Sequence, residues 1–253
     1  MTLPLVAVSR RLAAIEIWLV LGLSLGRSAV YSLLSIVEKL TRPEPLAHQT
    51  TTLNNSITPD RPWLDLAYQL AGIVFPLVPA LLALYLLRLS GDRDAIGFDR
   101  TRFGGDSLRG LALAAAIGIP GLGLYLLARA MGVNTTVQPA NLAQNWWTVP
   151  VLIGSALMNG MLEEVVVVGF LAVRLQQRGW SIVAVVATSA ALRGAYHLYQ
   201  GFGGFLGNLV MGLVFSWLFW RTKRVTPLVV AHVLMDLVVF LGYALVAPLT
   251  DWF

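Results

Sequence analysis

Two adjacent carboxylates, Glu163 and Glu164, stand inside an otherwise apolar run, MLEEVVVVGF at 161–170. One acidic residue at the centre of a membrane helix costs roughly 2.5 to 3.5 kcal/mol on insertion scales, so two side by side point to a use in the fold. Neighbouring helical residues project about 100° apart, so at least one of the pair must face the bundle interior or a watery cavity. The other ionisable groups inside apolar runs are few: Arg193 with His197, His232 with Asp236, and Glu16 with Arg27. A spacing of four puts each of the first two pairs on one helical face. Brought together, these residues would supply a carboxylate to take a proton from water, two imidazoles that exchange protons near neutral pH, and an acid to orient one imidazole. That is equipment for hydrolysis.

Each residue alone also admits a plainer role. His197, near a glycine-rich GFGG stretch, fits a hydrogen-bonded packing position, and His232 with Asp236 fits a hydrogen bond between side chains one turn apart. The glutamates would also suit a proton-carrying transporter or a structural pairing with Arg193. Glu16 and Arg27, three turns apart, read as helix–helix pairing or snorkelling rather than catalysis, and the run from Val165 to Val168 reads as packing.

The elements that must position these groups are membrane helices. The chain has 253 residues, 57% hydrophobic and 12% charged, against roughly 25% charged in a soluble domain. An all-α integral membrane protein follows, and the absence of a polar linker makes 1–253 a single membrane domain. Apolar runs at 12–37, 66–89, 107–131, 148–174, 180–199, 202–220 and 226–247 predict seven spans of about 20 residues each. Basic residues alternate between the connections. Arg10, Arg11, Arg88, Arg93, Arg100, Arg102, Arg109, Arg174, Arg178, Arg221, Lys223 and Arg224 fall on one side; Lys39, Arg42, Arg61 and Arg129 fall on the other. The positive-inside rule then places the N-terminus in the cytoplasm and the C-terminus outside. The first run is too long for a cleaved signal and reads as a signal-anchor helix.

The proline- and threonine-rich connection at 38–65 reads as an outer loop or lid, and 90–106 as a solvated cytoplasmic loop. With no cysteine there is no thiolate chemistry and no thiolate metal site. The net charge of +5 sits in loops flanking spans, so nucleic acid is not expected as a partner; the lipid bilayer is. Short loops and the cysteine-free composition point to a bacterial plasma membrane. No pairing of inverted halves is evident, which disfavours a transporter.

A Glu-Glu pair on one membrane helix, a histidine on the next and an HxxxD pair two helices later resemble the CAAX protease and bacteriocin-processing (CPBP) family of intramembrane proteases. The matching elements are EEVVVVGFL from Glu163, ALRGAYH ending at His197, and HVLMD from His232 to Asp236. They cover residues 148–247, the four-helix core of that family, while 1–147 supplies three helices and loops that resemble nothing specific. The resemblance implies an intramembrane endopeptidase, type II CAAX prenyl endopeptidase-like, that cleaves membrane-associated peptides or proteins. In it Glu163 or Glu164 would be the general base, His197 and His232 would steady the oxyanion or pass protons, and Asp236 would orient His232. No cofactor is favoured; zinc stays open as the alternative, with Glu163, Glu164, His197 and His232 as its donors, although the HExxH spacing is absent. The competing reading is a non-proteolytic relative, such as a bacteriocin self-immunity factor or a scaffold.

Two positions depart from the family pattern. Val168 stands where the EExxxR motif has arginine, and Arg193 stands where the FxxxH motif has an aromatic residue. A swap is expected, with Arg193 supplying the guanidinium that pairs with Glu164. Counting along the helices sets Glu164 roughly 15 Å and His197 roughly 25 Å from the cytoplasmic edge, a mismatch the fold must absorb.

Overall fold

The computed structural model describes residues 7–246, with side chains through Tyr243. The last residue of the final apolar run and the C-terminus, expected outside, lie beyond the described residues, as do residues 1–6. Each of the seven apolar runs is helical. They form α1 (Arg10–Gly22) with α2 (Leu25–Leu40), then α3 (Pro62–Leu89), α4 (Phe103–Ala130), α5 (Thr148–Glu163) leading through a π-helical turn (Glu164–Phe170) into α6 (Leu171–Gln177), then α7 (Ile182–His197), α8 (Phe202–Thr222) and α9 (Thr226–Val246). This is an all-α membrane protein.

The expected seven spans are not all of one kind. Five rods are long and apolar enough to cross a membrane: α3, α4, the continuous 148–177 rod, α8 and α9. The first run is not straight but breaks between α1 and α2 with a 51° bend, and counts as a sixth span only if the pair is taken together. The break has a local cause. Ser24 leaves helical geometry and its hydroxyl donates to Val20 O at 2.5 Å, while a Cβ on Gly26 would lie 2.8 Å from Leu21 O, so glycine permits the tight approach. Helix α7 has 16 residues, about 24 Å, and falls short of a hydrocarbon core about 30 Å thick.

The connection at 38–65 is more ordered than its composition implies. Its Thr-rich segment forms β1 (Thr50–Asn55), which pairs in parallel with β2 (Thr136–Asn141) in the register Thr50 to Thr136 through Asn55 to Asn141. Lys39 Nζ donates to Thr51 Oγ1 at 2.5 Å and to Tyr199 O at 2.6 Å, tying the sheet to the α7–α8 turn. These connections share one end of the bundle.

The other end is held by two buried arginines. Arg174 Nε donates to Glu16 Oε2 at 2.5 Å and its Nη1 to Asp92 Oδ2 at 3.1 Å, so Glu16 pairs across to α6 while Arg27 is exposed. Arg224 clamps Asp106 at 2.7 Å and Asp99 at 2.9 Å. The 90–106 connection is exposed along most of its length, as expected of a solvated loop, and is anchored at a few points: Ile96 is fully buried, its carbonyl accepts from Val225 N at 2.8 Å, and Gly97 O accepts from Thr226 Oγ1 at 2.9 Å. Three of its four acids, Asp92, Asp99 and Asp106, have a specific cation. The separation into two ends agrees with the alternation of basic residues along the chain.

Between the ends, Val165 to Val168 and Phe170 are buried against Ile17, Val20, Leu87 and Phe215 in the main apolar cluster. Lipid tails are as apolar as these side chains, so tight packing rather than transfer out of water holds the helices together.

Candidate active site

The site is built around the break in the 148–177 rod. Four consecutive β-branched valines crowd a helix surface, and here the backbone widens into a π-helical turn over Glu164–Phe170, a feature often found at functional sites. The Leu171 amide donates to Val166 O, five residues back. The Val167 carbonyl at the exit of the turn is met from outside: Ser189 Oγ on α7 donates to it at 2.8 Å, and Ser216 Oγ on α8 donates to Ser189 at 2.9 Å. A backbone acceptor in an apolar interior needs such a partner, so the wide turn and the two serines form one unit.

This turn sends both glutamates inward. Glu164 has no exposed surface, and Glu163 has 8%. Glu164 Oε1 accepts from Arg193 Nη2 and lies 2.6 Å from His232 Nδ1. Because a carboxylate only accepts, that ring nitrogen carries the proton. The far ring nitrogen, His232 Nε2, then stands 3.9 Å from Glu163 Oε2 and 3.8 Å from Asp236 Oδ1. Arg193 Nη2 also reaches within 3.8 Å of Glu163 Oε2 and its guanidinium lies 5.3 Å from the Phe215 ring centroid. The expected swap is thus present as a contact: the cation facing Glu164 comes from α7, and Val168 is buried in the turn.

Two participants were not picked out from the sequence. Tyr196 Oη donates to Glu163 Oε2 at 2.8 Å, and Asn159 Nδ2 donates to Asp236 Oδ2 at 2.8 Å. Both carried a signal: Asn159 precedes Glu163 by four on an apolar helix, and Tyr196 follows Arg193 by three. Close approach of α5 and α9 makes the second contact geometrically available, since a Cβ on Gly160 would fall 2.6 Å from Val233 Cγ2.

His197 stands apart from this contact set. Its Nδ1 faces Arg193 O at 3.1 Å, and its ring packs against Tyr196 with centroids 4.7 Å apart. A carbonyl only accepts, so Nδ1 bears the proton and a neutral His197 ring offers Nε2 as an acceptor. It is an electrostatic neighbour of Glu163 and His232. The depth mismatch is absorbed because Arg193, one turn inward, and the long Tyr196 side chain reach the glutamates in its place.

Among the described residues, three that could ligate a metal gather: Glu163, Glu164 and His232, with candidate donor atoms within 4.8 Å of one another. His197 is not in that group. Glu164 Oε1 is shared by a fixed guanidinium and the His232 N–H, so a divalent ion on that oxygen would displace two hydrogen bonds beside a buried cation. The other carboxylate oxygen, Glu164 Oε2, is buried with no hydrogen-bond partner among the described residues, so Glu163, Glu164 and His232 could still hold a metal ion through it.

The arrangement therefore joins two carboxylates, an imidazole bonded to one of them and an acid–amide pair, all drawn from the 148–177 rod and α9. No curated protein and no solved structure matches the chain. Residues 145–238, which hold every one of these side chains, match the family model described as Type II CAAX prenyl endopeptidase Rce1-like, in agreement with the CAAX protease and bacteriocin-processing family that the motifs resemble.

Proposed function

We propose that the protein is an intramembrane endopeptidase in which Glu163 activates water for attack on a peptide bond of a membrane-associated peptide or protein. The observation that carries this reading is the position of His232 between two glutamates, bonded to Glu164 at Nδ1 and facing Glu163 and Asp236 at Nε2. Separations of 3.8 and 3.9 Å are too long for direct hydrogen bonds, and a water among these groups would touch a carboxylate able to take its proton. Glu164 is already saturated on Oε1, which leaves Glu163 as the base and Glu164 as the group that fixes Arg193 and His232.

In the forward step Glu163 accepts the water proton while the oxygen bonds to the scissile carbonyl carbon. The resulting oxyanion needs a donor, and Asn159 retains a second amide N–H beyond the one given to Asp236. As the C–N bond breaks, protonated Glu163 returns its proton to the leaving amine. His197 receives no proton-donating role in its neutral form; it borders the site as an acceptor. The reaction balances with water as the sole co-reactant and draws on no metal.

Cleavage of a membrane-peptide library by the purified protein tests this. Glu163→Gln and His232→Ala should abolish cleavage while leaving peptide binding within a few fold, and a zinc chelator should have no effect. Binding without cleavage by the unaltered protein would instead support a scaffold or self-immunity role, and loss of cleavage on chelation would assign the site a metal.

A further inference from the structure

A second site lies at the arginine-rich end, away from the glutamates. Leu84, Tyr85 and Arg88 at the end of α3, with Arg93 and Phe98 from the following connection, line an open groove of about 360 Å³. Its two guanidiniums differ from the buried Arg174 and Arg224 and, unlike the exposed Arg100 and Arg102, line a groove. Arg174 and Arg224 each hold two carboxylates, whereas Arg88 and Arg93 contact none among the described residues. Two nearby acceptors are spent, Asp92 on Arg174 and Gln177 and Asp99 on Arg224 and Thr101, while the exposed Asp94 pairs with neither groove arginine among the described residues. The last carbonyls of α3 are also occupied, Leu86 O by Ser90 N, Leu87 O by Asp92 N and Arg88 O by Gly91 N. Both cations therefore face the open groove with no carboxylate bound to them among the described residues.

The shape of the approach says what kind of anion suits them. Val78, Leu81 and Tyr85 are exposed at 52%, 55% and 51%. Spaced three and four apart, they form an apolar stripe on the outside of a spanning helix that leads straight into the groove. A ligand with a phosphate at the arginines and an acyl chain along the stripe satisfies both parts, because guanidinium binds phosphate through paired N–H donors and the chain replaces ordinary lipid contact. We propose that this groove is a binding site for an anionic glycerophospholipid, with Arg88 and Arg93 holding its phosphate.

The test uses the full chain in detergent micelles, titrated with dioleoyl-phosphatidylglycerol, with dioleoyl-phosphatidylcholine, and with glycerol phosphate, and read by native mass spectrometry. Phosphatidylglycerol should bind more tightly than phosphatidylcholine. The double variant Arg88→Gln/Arg93→Gln should weaken its binding roughly tenfold, as the loss of charge-assisted hydrogen bonds entails. The pair Arg100→Gln/Arg102→Gln removes the same charge from exposed positions nearby and should leave binding unchanged. Equal weakening in both variants, or no preference over phosphatidylcholine, overturns the proposal. Full occupancy by glycerol phosphate at the lipid's concentrations also overturns it, assigning the groove to a soluble anion. None of these readouts depends on peptidase activity.

Discussion

At the scale of single residues, the account rests on a division of labour between two neighbours. Glu164 is sealed and bonded through one oxygen to Arg193 and His232, while Glu163 accepts from Tyr196 and stands 3.9 Å from His232 Nε2, as the proposed base. Removing one member of a buried ion pair leaves an uncompensated charge and costs about 3–5 kcal/mol. Arg193→Ala should therefore lower thermal stability in detergent by roughly that amount and remove activity. Adding Val168→Arg to that background should recover part of both, since it returns a cation to the position the family motif uses; a double variant no better than the single would remove the swap as an explanation. The chemistry of this swap was legible in the sequence, because two departures from a motif compensated in charge. The bonds of Tyr196 and Asn159 were not, since a tyrosine or an asparagine in an apolar run has many ordinary roles and only coordinates show which carboxylate it meets.

At the scale of elements, the π-helical turn sets the direction of both glutamates. Deleting Val166 would let the rod close into a regular α-helix and rotate everything on one side of the turn by about 100°. The deletion should leave the protein in the membrane and abolish cleavage, checked by membrane fractionation alongside the peptide assay. Ser189→Ala is the milder version: it strips the hydroxyl from Val167 O, costs about 1–3 kcal/mol for an unsatisfied buried acceptor, and should lower kcat more than it raises KM. Gly160→Ala should act through α9, because the added methyl meets Val233 and pushes His232 and Asp236 away from α5. Seven helical runs and the faces carrying the polar pairs could be read from hydropathy and spacing. The π-turn could not, because four consecutive valines at 165–168 are apolar in every direction and hide the phase shift of about 100° that one extra residue introduces. The parallel pairing of β1 with β2 joins segments more than eighty residues apart, a contact that local composition cannot announce.

At the scale of the whole molecule, the bundle has a carboxylate–arginine end and a sheet-capped end, and the charge bias assigns the first to the cytoplasm. A chain without cysteine makes this testable with single reporters: Arg102→Cys should react with an impermeant maleimide only after the membrane is opened, and Arg42→Cys in intact cells. The reverse pattern would invert the topology. The arginine end also carries a pH signature. Arg224 holds the Asp99 carboxyl below the usual carboxylate range by donating to it. A depressed folded-state pKa contributes stability above the unfolded value of about 4, and that contribution fades as pH falls below it toward the folded pKa. Melting temperatures in detergent should accordingly drop on acidification below about pH 4, less steeply in Arg224→Gln, where the link is already gone. The solvated character of 90–106 was legible in its sequence, but the pairing of Asp92, Asp99 and Asp106 with Arg174 and Arg224 was not, because a loop of free charges and one of partly paired charges have the same composition.

The most direct check on the central claim is the fate of the water oxygen. The purified protein is given a cleavable membrane peptide in ¹⁸O-labelled water, and the new carboxyl terminus is weighed by mass spectrometry. One labelled oxygen per cut with the unaltered protein, and no cut with Glu163→Gln under the same conditions, is the expected result. Cleavage that persists without the Glu163 carboxylate, or a product formed without label, would contradict the account.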